Sequence, residues 1–186
     1  MSRYEFLLFL HVVSVIVWLG AGTTLALTAV FAQRSGDPTE FRRLGAFARW
    51  LGPRVFAPAA LGALVFGILL VVDGSWTFDP LWIKLGLAAF AVSFLINVGL
   101  RFPMLRRLQH AARDAGPRAP EVARSGRLLG LLARLELAVL YLAVGDMIAK
   151  PTSRDGGTLV AGAAILGLVV LSVVFGTLRL PKVAAE

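Results

Sequence analysis

Three titratable side chains interrupt long apolar runs. His11 stands in "FLLFLHVVSVIVWLG", Lys84 in "WIKLGL" and Asp146 in "VGDMIAK". Each can carry a proton or hold a ligand. A charge at mid-membrane costs about 2.5–3.5 kcal/mol on insertion scales, so such groups mark candidate sites. At roughly 1.5 Å per helical residue, His11 lies about 10 Å inside the start of its run, and Lys84 about 6 Å. On the same scale Asp146 lies about 6 Å inside the end of its own run at Lys150, with Met147 at that level too. A shared level implies a polar pocket with His11 as ligand or proton carrier and Lys84 and Asp146 as a charge pair beside it. His11, Ser14 and Trp18 also share one helix face by i, i+3, i+7 spacing, and Gly22 continues it. A histidine, a flat ring and a close backbone suit a planar cofactor, and haem is one candidate. The plainer readings are a packing histidine, a snorkelling Lys84, and an Asp146 that sits among headgroups or pairs with Lys150.

A fourth group lies deeper. Glu136, in "RLELAVLYL", is about 21 Å from Lys150 along its helix. Burial raises a carboxyl pKa, so Glu136 is expected to be protonated or partnered. Ser93 and Asn97 reach comparable depth on another run. They predict a clamp between two helices, with a proton path as the second reading. Arg134 is two residues away and faces elsewhere. His110 falls in a basic linker at the other end, which argues against two histidines flanking one haem. His11 with Met147 as axial ligands is geometrically possible. Copper would require more His and Met than these runs bring together.

These residues depend on helices to position them. The chain has 186 residues, 58% hydrophobic and 16% charged, with a mean hydropathy of +0.78. Soluble domains are nearer one quarter charged. Five segments reach the roughly 20 apolar residues needed to span a bilayer: about 5–33, 54–73, 80–101, 128–149 and 158–180. Their continuous apolar character excludes a β-barrel, whose strands alternate. The fold class is therefore all-α, a polytopic membrane bundle forming a single domain over 1–186. Between the first two spans, "DPTEFRRLGAFARWL" predicts a short amphipathic interfacial helix over 38–51. Asp37 is its N-cap, Pro38 its N1, and Glu40 stands at N3 of a capping box. Its arginines suit anionic lipid at the cytoplasmic face, and Trp50 an interfacial anchor. Pro103 is expected to end the third span before a basic linker. Pro120 and Glu121 suggest that the fourth helix starts before the membrane.

Charge placement sets the threading. Of 19 lysines and arginines, fourteen lie in 34–54, 101–127 and the tail with Arg179 and Lys182. Only Arg3, Lys150 and Arg154 occupy the alternate ends and loops. By the positive-inside rule the N-terminus is outside and the C-terminus cytoplasmic, in a bacterial inner membrane. The first run is too long for a signal peptide, and its cleavage would invert the arginine pattern. The net charge of +8 is therefore topogenic, and without a reading motif no nucleic-acid partner is expected. No cysteine is present, which excludes disulfides, Cys-ligated zinc and iron–sulfur clusters. No nucleophile set, phosphate loop or metal-spacing motif supports hydrolase or kinase chemistry. Ala59, Ala63 and Gly67 form a small-residue ladder that admits a close helix. It packs within the bundle, or else it serves a homo-oligomer or a membrane partner of a non-enzymatic accessory subunit.

"LLFLHVVSVIVWLGAG", "WLGPRVFAPAALGALVFGILLV", "WTFDPLWIKLGL" and "DMIAKP" occur in this order. Together they resemble a family of bacterial integral membrane proteins of unknown function. More distantly, His11 and Lys84, with Trp82 before the lysine, are similar to positions in CopD-like copper-resistance proteins and HemJ-like protoporphyrinogen oxidases. The second likeness implies haem near His11 and Lys84, although the wider polar set of the HemJ-like group is missing.

The threading is open to labelling, since no native cysteine competes. A cysteine at Ser75 is expected to react with an impermeant maleimide in intact cells, and one at Ala115 only after lysis. External labelling at Ala115 would overturn this threading.

Overall fold

The computed structural model describes residues 1–35, 37–114 and 120–178. Gly36, linker residues 115–119 and the tail with Arg179 and Lys182 lie outside the described residues. So does the end of the fifth expected span.

Among the described residues every regular element is helical. The helices are α1 (Arg3–Ser35), α2 (Pro38–Leu51), α3 (Ala57–Asp73), α4 (Leu81–Leu95), α5 (Phe102–Asp114), α6 (Pro120–Ala149) and α7 (Gly156–Leu178). Two π-helical segments, Gly52–Phe56 and Ile96–Arg101, join α2 to α3 and α4 to α5. Five stretches are long and apolar enough to cross a membrane: Arg3–Ala32, Arg42–Asp73, Leu81–Leu108, Arg124–Ala149 and Gly156–Gly176. The protein is an all-α, multi-span membrane protein.

Local chemistry explains several helix ends. At the start of α1, Ser2 N donates to Glu5 Oε2 at 2.7 Å and Glu5 N donates to Ser2 Oγ at 3.2 Å. That reciprocal pair is a capping box. Asp37 caps α2 by accepting from Thr39 N at 2.7 Å. The Thr39 backbone N–H holds the Asp37 carboxyl below the usual carboxylate range. Glu40 does not complete a capping box as expected. It pairs with Arg43 at 2.8 Å, and Asp37 N turns to Ser35 Oγ at 3.3 Å. A basic neighbour one turn on competes successfully for the glutamate. Lys150 ends α6 with φ 45°, its N–H donating to Asp146 O at 2.7 Å, just before Pro151. This is the left-handed cap that a following proline favours. Asp155 then accepts from Thr152 N at 2.8 Å and Thr152 Oγ1 at 2.9 Å. Those donors lower its pKa, and its carbonyl accepts from Leu159 N in the first turn of α7.

Two expected breaks are absent. The second span is expected to open near Arg54 after a separate interfacial helix, yet α2 runs through the first π segment into α3 with no non-helical residue. Pro103 was to end the third span, yet the second π segment carries the helix past it into α5. A π turn bonds i to i+5, as in Ala57 N–H to Gly52 O and Phe102 N–H to Asn97 O. Such a turn changes which carbonyls await a donor. Three prolines lack such a donor: Pro53 lies within the first π segment, Pro58 just after it, and Pro103 just after the second. The wide turn absorbs the defect that would otherwise stop the helix.

The chain divides into two compact units, Met1–Lys84 and Leu85–Glu186. In the first, α1 packs along α3, with α2 and the first π segment also against α1. Ala21, Ala32, Ala59 and Ala63 are buried, while Phe9, Ile16, Leu27 and Phe31 are exposed on α1. Small residues in the seam and large apolar ones outside is the pattern expected when lipid is the solvent. At the end of α3, Arg3 pairs with Asp73 at 3.1 Å. Trp76 meets Trp82 edge-on at 5.7 Å. In the second unit α6 packs against α5, α7 and the second π segment. α7 meets α6 where Gly176 faces Leu131, and its Val160, Leu168 and Phe175 are exposed.

The α1–α3 seam is tight at Gly62. A Cβ there would fall 2.7 Å from Ser14 Oγ, which donates to Leu10 O at 2.7 Å. Gly62→Ala is expected to destabilise the protein by about 1–3 kcal/mol, the usual range for overpacking. Gly20→Ala, whose Cβ would meet nothing within 4 Å, is the matched control. Thermal unfolding in detergent separates the two.

Candidate functional site

Two polar constellations interrupt the apolar seams, one in each unit. In the first, His11 projects from α1 onto α3. Its Nδ1 lies 2.8 Å from the Ala63 carbonyl oxygen. A carbonyl only accepts, so Nδ1 carries the proton and donates. In the neutral ring Nε2 then holds the lone pair. Among the described residues Nε2 has no hydrogen-bond partner. The approach depends on Gly67, where a Cβ would stand 3.1 Å from His11 Cε1 and 3.3 Å from Nδ1. The ladder Ala59–Ala63–Gly67 and the face His11–Ser14–Trp18 are thus two sides of one seam. Trp18 is buried and meets Phe56 of the first π segment edge-on at 6.1 Å.

Lys84 has its own partner. Its Nζ lies 3.7 Å from Asp79 Oδ1, with both side chains exposed. An exposed pair of this kind contributes only about 0–1 kcal/mol. His11 and Trp18 therefore lie along the same seam, where they meet Ala63 and Phe56, whereas Lys84 meets Asp79. Asp146 and Met147 belong to the second unit. Met147 Cε lies against Gly86, 3.5 Å from where a Cβ would be. Both carboxylate oxygens of Asp146 are shielded and have no hydrogen-bond partner among the described residues.

The second constellation is more completely built. Glu136 is 3% exposed and Ser93 1%. Glu136 Oε1 accepts from Ser93 Oγ at 2.9 Å and from Asn97 Nδ2. Glu136 Oε2 accepts from Arg101 Nη1, which also donates to Asn97 Oδ1 at 3.1 Å. Asn97 Nδ2 donates back to Ser93 O at 3.0 Å. Both oxygens of Glu136 are thus engaged, by a hydroxyl, an amide and a guanidinium. Residues 93, 97 and 101 come from α4 and the second π segment, and Glu136 from α6. Arg134 is exposed.

Sequence reasoning placed Ser93 and Asn97 beside Glu136 but missed Arg101. It was counted with the arginines that orient the chain. The signal was present in the i, i+4, i+8 spacing of Ser93, Asn97 and Arg101. Among the described residues no group of three or more His, Cys, Asp or Glu is placed to hold a metal ion.

Long apolar helices joined through buried polar seams define a polytopic α-helical membrane protein. The chain belongs to the family described as predicted integral membrane protein (DUF2269), whose pattern matches residues 5–151. That stretch contains both constellations and ends before α7. Neither a curated protein nor a solved structure matches the chain.

The Glu136 cluster has a direct energetic test. Arg101→Leu strands a buried carboxylate and is expected to cost about 3–5 kcal/mol. The double replacement Arg101→Leu with Glu136→Leu is expected to recover most of that loss, because no charge remains buried. A double-mutant cycle on thermal unfolding measures the coupling. Additive losses would mean that the two side chains do not act as a pair.

Proposed function

We propose that this is a bacterial inner-membrane protein that binds a flat apolar ligand, a haem or a quinone-class ring, through Nε2 of His11. The observation that carries this reading is the 2.8 Å contact of His11 Nδ1 with the Ala63 carbonyl. A histidine whose Nδ1–H is held by a backbone carbonyl has its tautomer and ring plane set, and its Nε2 prepared to ligate. The resemblance of His11 and Lys84 to haem-associated positions in HemJ-like proteins agrees with this reading.

The residues suit haem in one respect: His11 would hold it through a ring nitrogen of the kind its iron takes. Haem would bring electron transfer or oxygen chemistry to the site. The chain's own part would be to hold the ring through His11 and to keep α1 and α3 close around it. The N-terminus faces outward and the C-terminus inward, and the exposed Arg42, Arg43 and Arg49 of α2 face anionic lipid at the cytoplasmic surface. We read the Glu136 cluster as a clamp between helices and not as a proton path, because its carboxylate already receives three donors.

Protein purified in mild detergent is expected to show a Soret band or to release a quinone on extraction. His11→Ala abolishes either signal, and Gly67→Ala weakens it by displacing the ring. A colourless, quinone-free preparation in which His11→Ala behaves as wild type would sink the proposal.

A further inference from the structure

The Glu136 cluster leaves part of Arg101 unused, and that part has the geometry of an anion site. A guanidinium carries five N–H donors in a fixed fork. Nη1 serves Glu136 and Asn97. The Nε–Nη2 edge has no partner among the described residues. The Arg101 side chain is 25% exposed, against 3% for Glu136. One edge is therefore anchored inside while the other is reachable. The anchoring removes most of the rotamer freedom that an exposed arginine would lose on binding.

The surroundings identify what would meet that edge. Before Arg101, Val98 and Leu100 are exposed apolar residues on a span long enough to cross the membrane. After it, Arg106 and Arg107 of α5 are exposed. With the exposed Phe102, Arg101 lies about one turn before the exposed cationic pair Arg106 and Arg107, near the cationic end of a lipid-facing apolar surface, where headgroup phosphates come within reach. Two parallel N–H groups match two oxygens of a phosphodiester. We propose that Arg101 is a specific site for the phosphodiester of an anionic phospholipid, held in register by Glu136 and Asn97. Arg106 and Arg107 add diffuse attraction that salt screens. This inference is independent of any ligand at His11.

The test uses the full-length protein in maltoside micelles, which contain no phosphate. Phenylglyoxal adducts at each arginine are quantified by mass spectrometry during titration with phosphatidylglycerol, phosphatidylcholine or inorganic phosphate. Phosphatidylglycerol is expected to slow modification of Arg101 about tenfold, a difference ordinary for a charge-assisted bidentate contact. At high salt that protection persists at Arg101 and is lost at Arg106 and Arg107. Arg101→Lys keeps a charge beside Glu136 but lacks the fork. It is expected to bind phosphatidylglycerol about tenfold more weakly by native mass spectrometry. Equal protection by inorganic phosphate, or by phosphatidylcholine, would overturn the assignment to an anionic lipid. Modification of Arg101 at the same rate with and without phosphatidylglycerol would overturn the site itself, and this reading needs no variant to fold.

Discussion

A carboxylate buried where water cannot follow must find all its donors in the protein. Glu136 imposes that constraint on the second unit. Its oxygens take a hydroxyl, an amide and a guanidinium, and these come from consecutive turns of one continuous helix. An uncompensated charge at this depth would be far more costly than any single packing defect nearby. The helix carrying Ser93, Asn97 and Arg101 is therefore tied to α6 at one rotation and one height. Apolar packing alone would leave neither so well defined, since lipid tails compete with apolar side chains on nearly equal terms.

The π segment is what makes three donors converge. In an α-helix four residues overshoot a full turn by about 40°. Two such steps would carry Arg101 well around the helix from Ser93. The wider π turn between Ile96 and Arg101 rotates less per residue and brings the arginine back onto the Ser93–Asn97 face. The same turn accommodates Pro103 in the following helix. One backbone irregularity thus does two jobs, aligning a buried cluster and carrying the helix past a residue without an N–H. The first π segment repeats the arrangement beside Pro53 and Pro58. It also carries Phe56, the ring against which Trp18 packs. π turns gather at such sites because they re-aim side chains without breaking the helix.

Which parts were legible in the sequence follows from the range of each signal. Apolar length and loop chemistry are local, so the five spans, the α2 cap at Asp37 and the early start of α6 at Pro120 could be read directly. Depth along a helix is nearly local too, and it brought Ser93 and Asn97 level with Glu136. Helix continuity was misjudged at Pro53 and Pro103, because a proline reads as a stop unless a π turn is already known to precede or include it. Arg101 was missed for a related reason. Its charge served a topology count, and its face depended on a rotation that the sequence does not display. The pairing of helix faces was the least accessible feature. The His11 face and the small-residue ladder were each recognised, but periodicity does not say which face meets which.

Their meeting changes the chemistry available to His11. A face read as open to a planar cofactor is largely covered by α3, so a ligand cannot lie flat along His11, Ser14 and Trp18 together. What remains is the ring edge that the seam does not consume. The Ala63 carbonyl fixes the proton on Nδ1, so neutral Nε2 presents a lone pair and not a donor. Such an atom suits a metal centre or a hydroxyl that donates to it, as in a hydroquinone. Within the quinone class it favours that reduced form over a quinone carbonyl, which would need a proton from it. Gly67 permits the close approach, the approach allows the hydrogen bond, and the hydrogen bond selects the tautomer. Packing and ligand preference in this seam are therefore one constraint, set by the absence of a side chain at position 67.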